Sequence, residues 1–241
     1  MKVVTNIFGS SLGKKYVMAI SGAVLFLFLI GHLAGNLQIF LGPDVINRYG
    51  HLLQSNPELI WPARLFLLLM LVLHVWSAAR LTIENRAARP MRYAQYTPLA
   101  ASYASRTMMM SGLIVFTFII YHLLHYTVRV KAINLTGQDF AGPEFQTPIK
   151  GLIGEHQHDV YRMMIVGFSN FWVSAFYILG MALLSLHISH GISAMFQSLG
   201  WKNRVYGPFL DRAARVVAIL IFLGYVSIPV AILLGYGKEA L

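Results

Sequence analysis

The chain has 241 residues, 57% of them hydrophobic and 12% charged, with a formal net charge of +10 and no cysteine. A soluble domain needs a charged surface and rarely reaches that balance. Helices facing lipid do, and the excess of lysine and arginine then reads as the bias of cytoplasmic loops and contact with anionic lipid rather than as a nucleic-acid surface. Without cysteine the chain holds no disulfide, thiolate zinc site or iron–sulfur cluster. With neither a G-x-G-x-x-G nor a P-loop pattern it has no motif of its own for flavin, nicotinamide or nucleotide, so redox chemistry would have to rest on a cofactor held by histidine.

Five stretches reach the roughly 20 apolar residues that cross a bilayer: 16–40, 59–83, 107–130, 163–196 and 213–235. The expected fold is therefore all-α, an integral membrane bundle of five transmembrane helices forming one membrane domain over 1–241. The fourth stretch is long enough to tilt or to project past the membrane. None of the five contains Asp or Glu, which argues against a carboxylate proton relay through the bilayer. Lys14 and Lys15 resemble the start of a signal peptide, but the apolar run that follows is long and lacks an A-x-A site, so it is expected to be retained. Twelve of the nineteen Lys and Arg fall in the N-terminus, the 80–106 loop and the 202–215 loop, which predicts a cytoplasmic N-terminus and an external C-terminus. The 131–161 loop is then external, with room for a short surface helix. No internal repeat and no soluble domain is evident.

Of nine histidines, His51, His156 and His158 fall in expected outer loops. The other six lie in predicted helices: His32 in the first, His74 in the second, His122 and His125 in the third, His187 and His190 in the fourth. Counting about 1.5 Å of rise per residue from the inner boundary, His32 and His122 both stand roughly 24 Å up, and His74 and His187 both roughly 13 Å up. Two levels, each served by two different helices, suit two bis-histidine haems: His32 with His122 for an outer haem, His74 with His187 for an inner one. His125 and His190 each lie one turn away, about 4.5 Å from these planes, and are the alternative ligands or supporting residues. A lone histidine in a membrane helix is as readily a hydrogen-bond partner of a neighbouring helix; four in matched pairs are harder to explain that way.

Gly22, Gly31, Gly35, Gly112, Gly180 and Gly191 could leave flat surface for a macrocycle, although close helix packing also selects glycine. Ser21, Arg80 and Lys202 are the candidates to hold propionates at the inner level, with Arg64, Arg129 and Asn36 toward the outer one. Most such cations are snorkelling anchors at the membrane surface.

The opening KKYVMAISGAVLFLFLIGHLAGNL, the run LTIENRAARPMRY after His74, YHLLHY and, most specifically, LHISHGISAMFQSLGW together resemble the membrane-anchor cytochrome b subunit of succinate dehydrogenases and fumarate reductases, in its single-chain, five-helix, di-haem form. The likeness runs along nearly the whole chain. It implies one axial ligand from each of the first four helices, matching His32, His74, His122 and His187. It implies two haem b, a membrane quinone, menaquinone in this type, and two partners on the cytoplasmic face: a flavoprotein that handles succinate or fumarate and an iron–sulfur subunit. The implied location is the cell's inner, cytoplasmic membrane. Some relatives carry a glutamate on the fourth helix just before the haem ligand; LLSLH here has Ser185 in its neighbourhood instead, which puts the associated proton path in doubt. For the quinone, the outer loop between the first two helices offers Glu58, Asp44 and His51, with Gln54 between, and Glu58 beside Pro57 and Trp61 is favoured. A solvated carboxylate at a helix start is the plainer reading of Glu58. Two other functions fit the histidines alone: the di-haem cytochrome b of another membrane oxidoreductase, of the hydrogenase or formate dehydrogenase kind, and a haem-free membrane protein whose histidines bind metal or substrate.

Overall fold

A computed structural model describes residues 7–88, 107–150 and 154–241. The expected Lys2, Arg89, Arg92 and Arg106 of the cationic segments, and the end of the LTIENRAARPMRY run, lie outside the described residues. Helix dominates, with almost no sheet, and five helices are long and apolar enough to span a membrane. The chain is an all-α, multi-pass membrane protein. Its helices are α1 (Ser11–Asn36), α2 (Pro43–Gln54), α3 (Pro57–Ala87), α4 (Met108–His122), α5 (Val160–Ser169), α6 (Phe171–Ser198) and α7 (Gly207–Leu233). A 3-10 stretch, Leu37–Leu41, extends α1, and a π-helical turn, Leu123–Thr127, extends α4. Exposed leucines and valines such as Leu65, Leu68, Leu69 and Val72 on α3, and Leu220 and Leu223 on α7, are what a helix in hydrocarbon presents.

Three features differ from the expected spans. The long fourth stretch is two helices, because Asn170 leaves the helical region (φ −75°, ψ 119°) and its side-chain oxygen accepts from Trp172 N at 2.9 Å and Val173 N at 3.3 Å, capping α6. The expected outer loop holding His51 is largely helix α2: Gly42 turns the chain at φ 96°, and Pro43 at the first helical position starts it. Before α5 begins at Val160, the described residues from Lys131 on carry no α-helix but 3-10 turns and a small antiparallel ladder, β1 (Gln146–Pro148) on β2 (His156–His158), paired Gln146 with His158 and Pro148 with His156. His156 and His158 are thus strand residues. Helices α3 and α7 also outrun the expected spans, taking Glu58 and Glu84 into the terminal turns of α3 and Asp211 into α7.

Contacts gather the chain into two compact units. The first comprises Met1–Leu29, Pro62–Met110 and Leu186–Ala218; the second comprises Ile30–Trp61, Ser111–Ser185 and Ile219–Leu241. In the first, the buried positions are mostly small: Ala19, Ser21, Ser77, Ala214 and Ala218. In lipid there is no hydrophobic drive between helices, so close backbone approach through small residues supplies the packing. Buried Lys14 is held there by Glu84 at 2.6 Å and the Gly9 carbonyl at 2.9 Å.

The second unit carries the large apolar core, with Ile39, Phe118, Ile165, Phe168, Val173 and Ile228 among its buried members. A Cβ on Gly180 of α6 would stand 2.6 Å from the Phe118 ring of α4, so that glycine serves helix packing. Buried Asn47 ties α2 to α5: it donates to Asp159 at 3.0 Å and accepts from Tyr161 N at 2.9 Å, while Asp159 caps α5 through Arg162 N at 2.9 Å. His158 is 8% exposed, with Nδ1 3.1 Å from Arg129 Nη1. Burial first, and the Arg129 cation second, hold its pKa down to about 4.

Asn47→Ala leaves Tyr161 N–H buried without an acceptor and should cost on the order of 1–3 kcal/mol, read as a lower Tm in detergent. His158 folds neutral with a pKa of about 4 against 6.5 for the free side chain. Protonation therefore favours the unfolded chain, and its contribution to stability is whole above about pH 6.5 and is lost as pH falls toward about 4. Thermal melts across that window should fall for the native chain and be flatter for His158→Gln.

Candidate functional site

The six helix histidines divide between the two units. His74 on α3 and His187 on α6 belong to the first; His32 on α1 and His122 on α4, with His125, belong to the second. Within each unit two imidazoles face one another: His74 and His187 with ring centroids 6.3 Å apart, His32 and His122 with centroids 5.7 Å apart. All four rings are half-buried. A metal bridging two imidazoles through bonds of about 2 Å would hold the centroids about 6 Å apart, so both pairs stand at the separation axial ligands require.

Neighbours prepare these rings. Nδ1 of His74 lies 3.2 Å from the Met18 carbonyl and 3.4 Å from Ser21 Oγ. The Ser21 hydroxyl donates to the Val17 carbonyl at 2.6 Å, so the backbone of α1 is the acceptor for an Nδ1 proton on His74. That tautomer leaves the Nε2 lone pair available to a metal. Gly22, one residue on, makes room for the ring: a Cβ there would stand 3.1 Å from His74 Cε1. In the second unit Phe118 stacks on His122 at 6.1 Å, Tyr225 lies 6.3 Å from His32, and Nδ1 of His122 is 3.3 Å from the Tyr177 hydroxyl.

His125 is placed differently. It is fully buried in the π-helical turn, stacked on Tyr126 at 4.1 Å and near-parallel to Phe140 at 5.6 Å, with Nδ1 3.1 Å from Tyr177. His122, not His125, is the α4 histidine facing His32. His190 lies on α6, half-buried. No group of three or more His, Cys, Asp or Glu converges among the described residues. The described residues thus offer either pair two imidazoles and no third ligand of these kinds, a donor set that fits a haem of the b type.

The residues expected to assist are scattered. Ser21 is buried and committed to backbone carbonyls and His74. Arg80 is exposed, 4.0 Å from Glu84. Lys202 is engaged with Asp211 at 2.6 Å and Ser193 at 2.8 Å, and Ser193 also bonds Asp211. Gly31 and Gly191 have nothing within 4 Å of a built Cβ, whereas a Cβ on Gly35 would meet the Tyr49 ring at 2.8 Å. Of the quinone candidates, Glu58 is exposed in the first turn of α3 and His51 is in the last turn of α2. Asp44 pairs with Lys150 at 3.0 Å and lines a groove of about 330 Å3 with Gln38, Arg48 and Tyr49. Neither Glu58 nor His51 lines that groove.

Tyr177, Tyr225 and the Met18 carbonyl are contacts that sequence reading did not single out. A tyrosine in an apolar run, or a backbone carbonyl, carries no signal until the helices are packed. Comparison with protein-family models, with curated proteins and with solved structures finds no match to this chain.

Should the His74–His187 pair hold a haem, Gly22→Leu, by driving a side chain into the His74 ring, lowers the haemin taken up by the purified chain by one equivalent. A Soret-band titration reads the stoichiometry.

Proposed function

We propose that this chain is the di-haem b membrane anchor of a succinate:quinone oxidoreductase, passing electrons between an iron–sulfur subunit and a membrane quinone. The observation that carries the reading is the pairing of four histidines from four membrane helices into two facing couples, His32 with His122 and His74 with His187. The resemblance of its helix contexts to that anchor family supplies the rest. When bound, each haem supplies a one-electron couple, and its potential is set by the axial ligands and their surroundings.

The chain's own residues bind and orient. His32, His74, His122 and His187 offer one imidazole each; Met18 and Ser21 fix the ring of His74, and Phe118 backs that of His122. Apolar helices keep water from the rings. Having no cysteine and no nucleotide motif, the chain leaves succinate and fumarate chemistry to a flavoprotein and the electron wire to an iron–sulfur subunit. Both would dock on the cytoplasmic face of the cell's inner membrane, where the Lys and Arg bias places the N-terminus. Menaquinone is the proposed quinone, with Glu58, Asp44 and His51 as candidate contacts and Arg80, Lys202 and Ser21 as candidates near the propionates.

A reduced-minus-oxidised spectrum with a pyridine haemochrome count on the purified chain should give two b haems per polypeptide. His32→Ala and His122→Ala should each leave one haem, as should His74→Ala and His187→Ala, while His125→Ala keeps two. Isolation from the native membrane should bring the two soluble subunits and quinone-dependent succinate oxidation or fumarate reduction. A well-folded chain without a Soret band would sink the redox reading.

A further inference from the structure

The Tyr177 hydroxyl of α6 is shared by two histidines. It lies 3.3 Å from Nδ1 of His122 and 3.1 Å from Nδ1 of His125. The ring is 6% exposed and wedged edge-on against Phe118 at 5.1 Å and Phe168 at 5.0 Å, so the oxygen has little freedom to move elsewhere. A phenol has one proton. It can be given to only one of the two imidazole nitrogens, so at least one of them must donate to the phenol oxygen.

Which donates follows from the role of His122. A neutral imidazole that ligates through Nε2 carries its proton on Nδ1, so His122 donates to Tyr177. The phenol proton is then directed at Nδ1 of His125, whose own proton lies on Nε2. Nε2 of His125 is buried and has no hydrogen-bond partner among the described residues, so Nδ1 is the nitrogen of that ring that has one. The reverse order would protonate Nε2 of His122 and remove its lone pair. The π-helical turn that opens directly after His122 is what carries His125 to the same oxygen.

We infer that Tyr177 is a positioning residue for the haem held by His32 and His122: it accepts the Nδ1 proton of His122, donates its own to His125, and so sets both the ring's orientation and its donor strength. This rests on the haem reading of the pair. Accepting that proton makes the imidazole more basic, which favours the oxidised iron and lowers the potential. Donation onward to His125 polarises the phenol and strengthens the effect.

The test is a redox titration of the native complex, with the two haems told apart by His122→Ala. In Tyr177→Phe, which keeps the ring and removes the hydroxyl, both haems should remain, the potential of the His32–His122 haem should shift upward and that of the other should not move. A low-spin EPR signal altered for the same haem alone would accompany it. Unmoved potentials would overturn the inference, because a tyrosine serving only as core would be replaced by phenylalanine without effect on either haem. Should Tyr177→Phe lose the haem, His125→Phe, which keeps Tyr177 and withdraws only the acceptor of its proton, is titrated in its place. A smaller rise is expected there, and an unmoved potential overturns the inference. Native complex without haem would overturn the functional reading and the inference together; native complex with two haems and unmoved potentials in the variants overturns the inference alone.

Discussion

An imidazole carried into hydrocarbon has two polar nitrogens and no water to satisfy them, and the arrangement of this protein's helices answers to that constraint. Two of the facing histidines have a specific partner for Nδ1: a helix carbonyl for His74 and a phenol for His122. Each couple also sets a second imidazole beside the first, with centroids 5.7 Å apart for His32–His122 and 6.3 Å apart for His74–His187. A solitary histidine would have needed only the first partner. The second is what makes these couples candidate ligands rather than structural hydrogen-bond donors.

The two units meet the constraint by different means. The first packs through alanine and serine, which lets α1 bring its backbone carbonyl of Met18 to the ring on α3. Small residues are the means of close approach where apolar side chains gain nothing by leaving lipid. The second unit surrounds its couple with aromatic rings: Phe118, Tyr121, Tyr126, Phe168 and Tyr177 stand around His122 and His125. A stiff aromatic wall fixes where a hydroxyl can point, and a single hydroxyl then serves two rings. The proposed electron-carrying role asks for ligands held in one geometry through repeated change of charge at the metal, and both devices supply rigidity of that kind.

The carboxylates tell a related story. Glu84, in the last turn of α3, and Asp211, near the start of α7, are each matched by a lysine, Lys14 and Lys202. Glu58 at the start of α3 and Asp44 at the start of α2 sit where a helix N-terminus favours negative charge. Charge is thus placed at helix ends, and the apolar middles are left to histidine, serine and tyrosine.

The five membrane helices were legible in the amino-acid sequence because a span needs only about 20 apolar residues and carries its hydrogen bonds within itself. The four histidines that face one another were legible as well, since depth along a helix follows from residue count. The break at Asn170 and helix α2 were missed, although Asn170 inside an apolar run and Gly42-Pro43 are local signals of a cap and a helix start. Counting placed His125 one turn from His122 and about 4.5 Å from its plane; the π-helical turn and the packing of α4 on α6 are what set His122 facing His32 and His125 in the core. The contacts of Tyr177 and Met18 belong wholly to tertiary structure, because a hydrogen bond between helices depends on rotation and lateral approach, which apolar periodicity leaves open. The sequence by itself determined how many helices are long and apolar enough to cross and how far along its helix each histidine lies; the tertiary structure decided which rings face one another and which groups meet His74, His122 and His125.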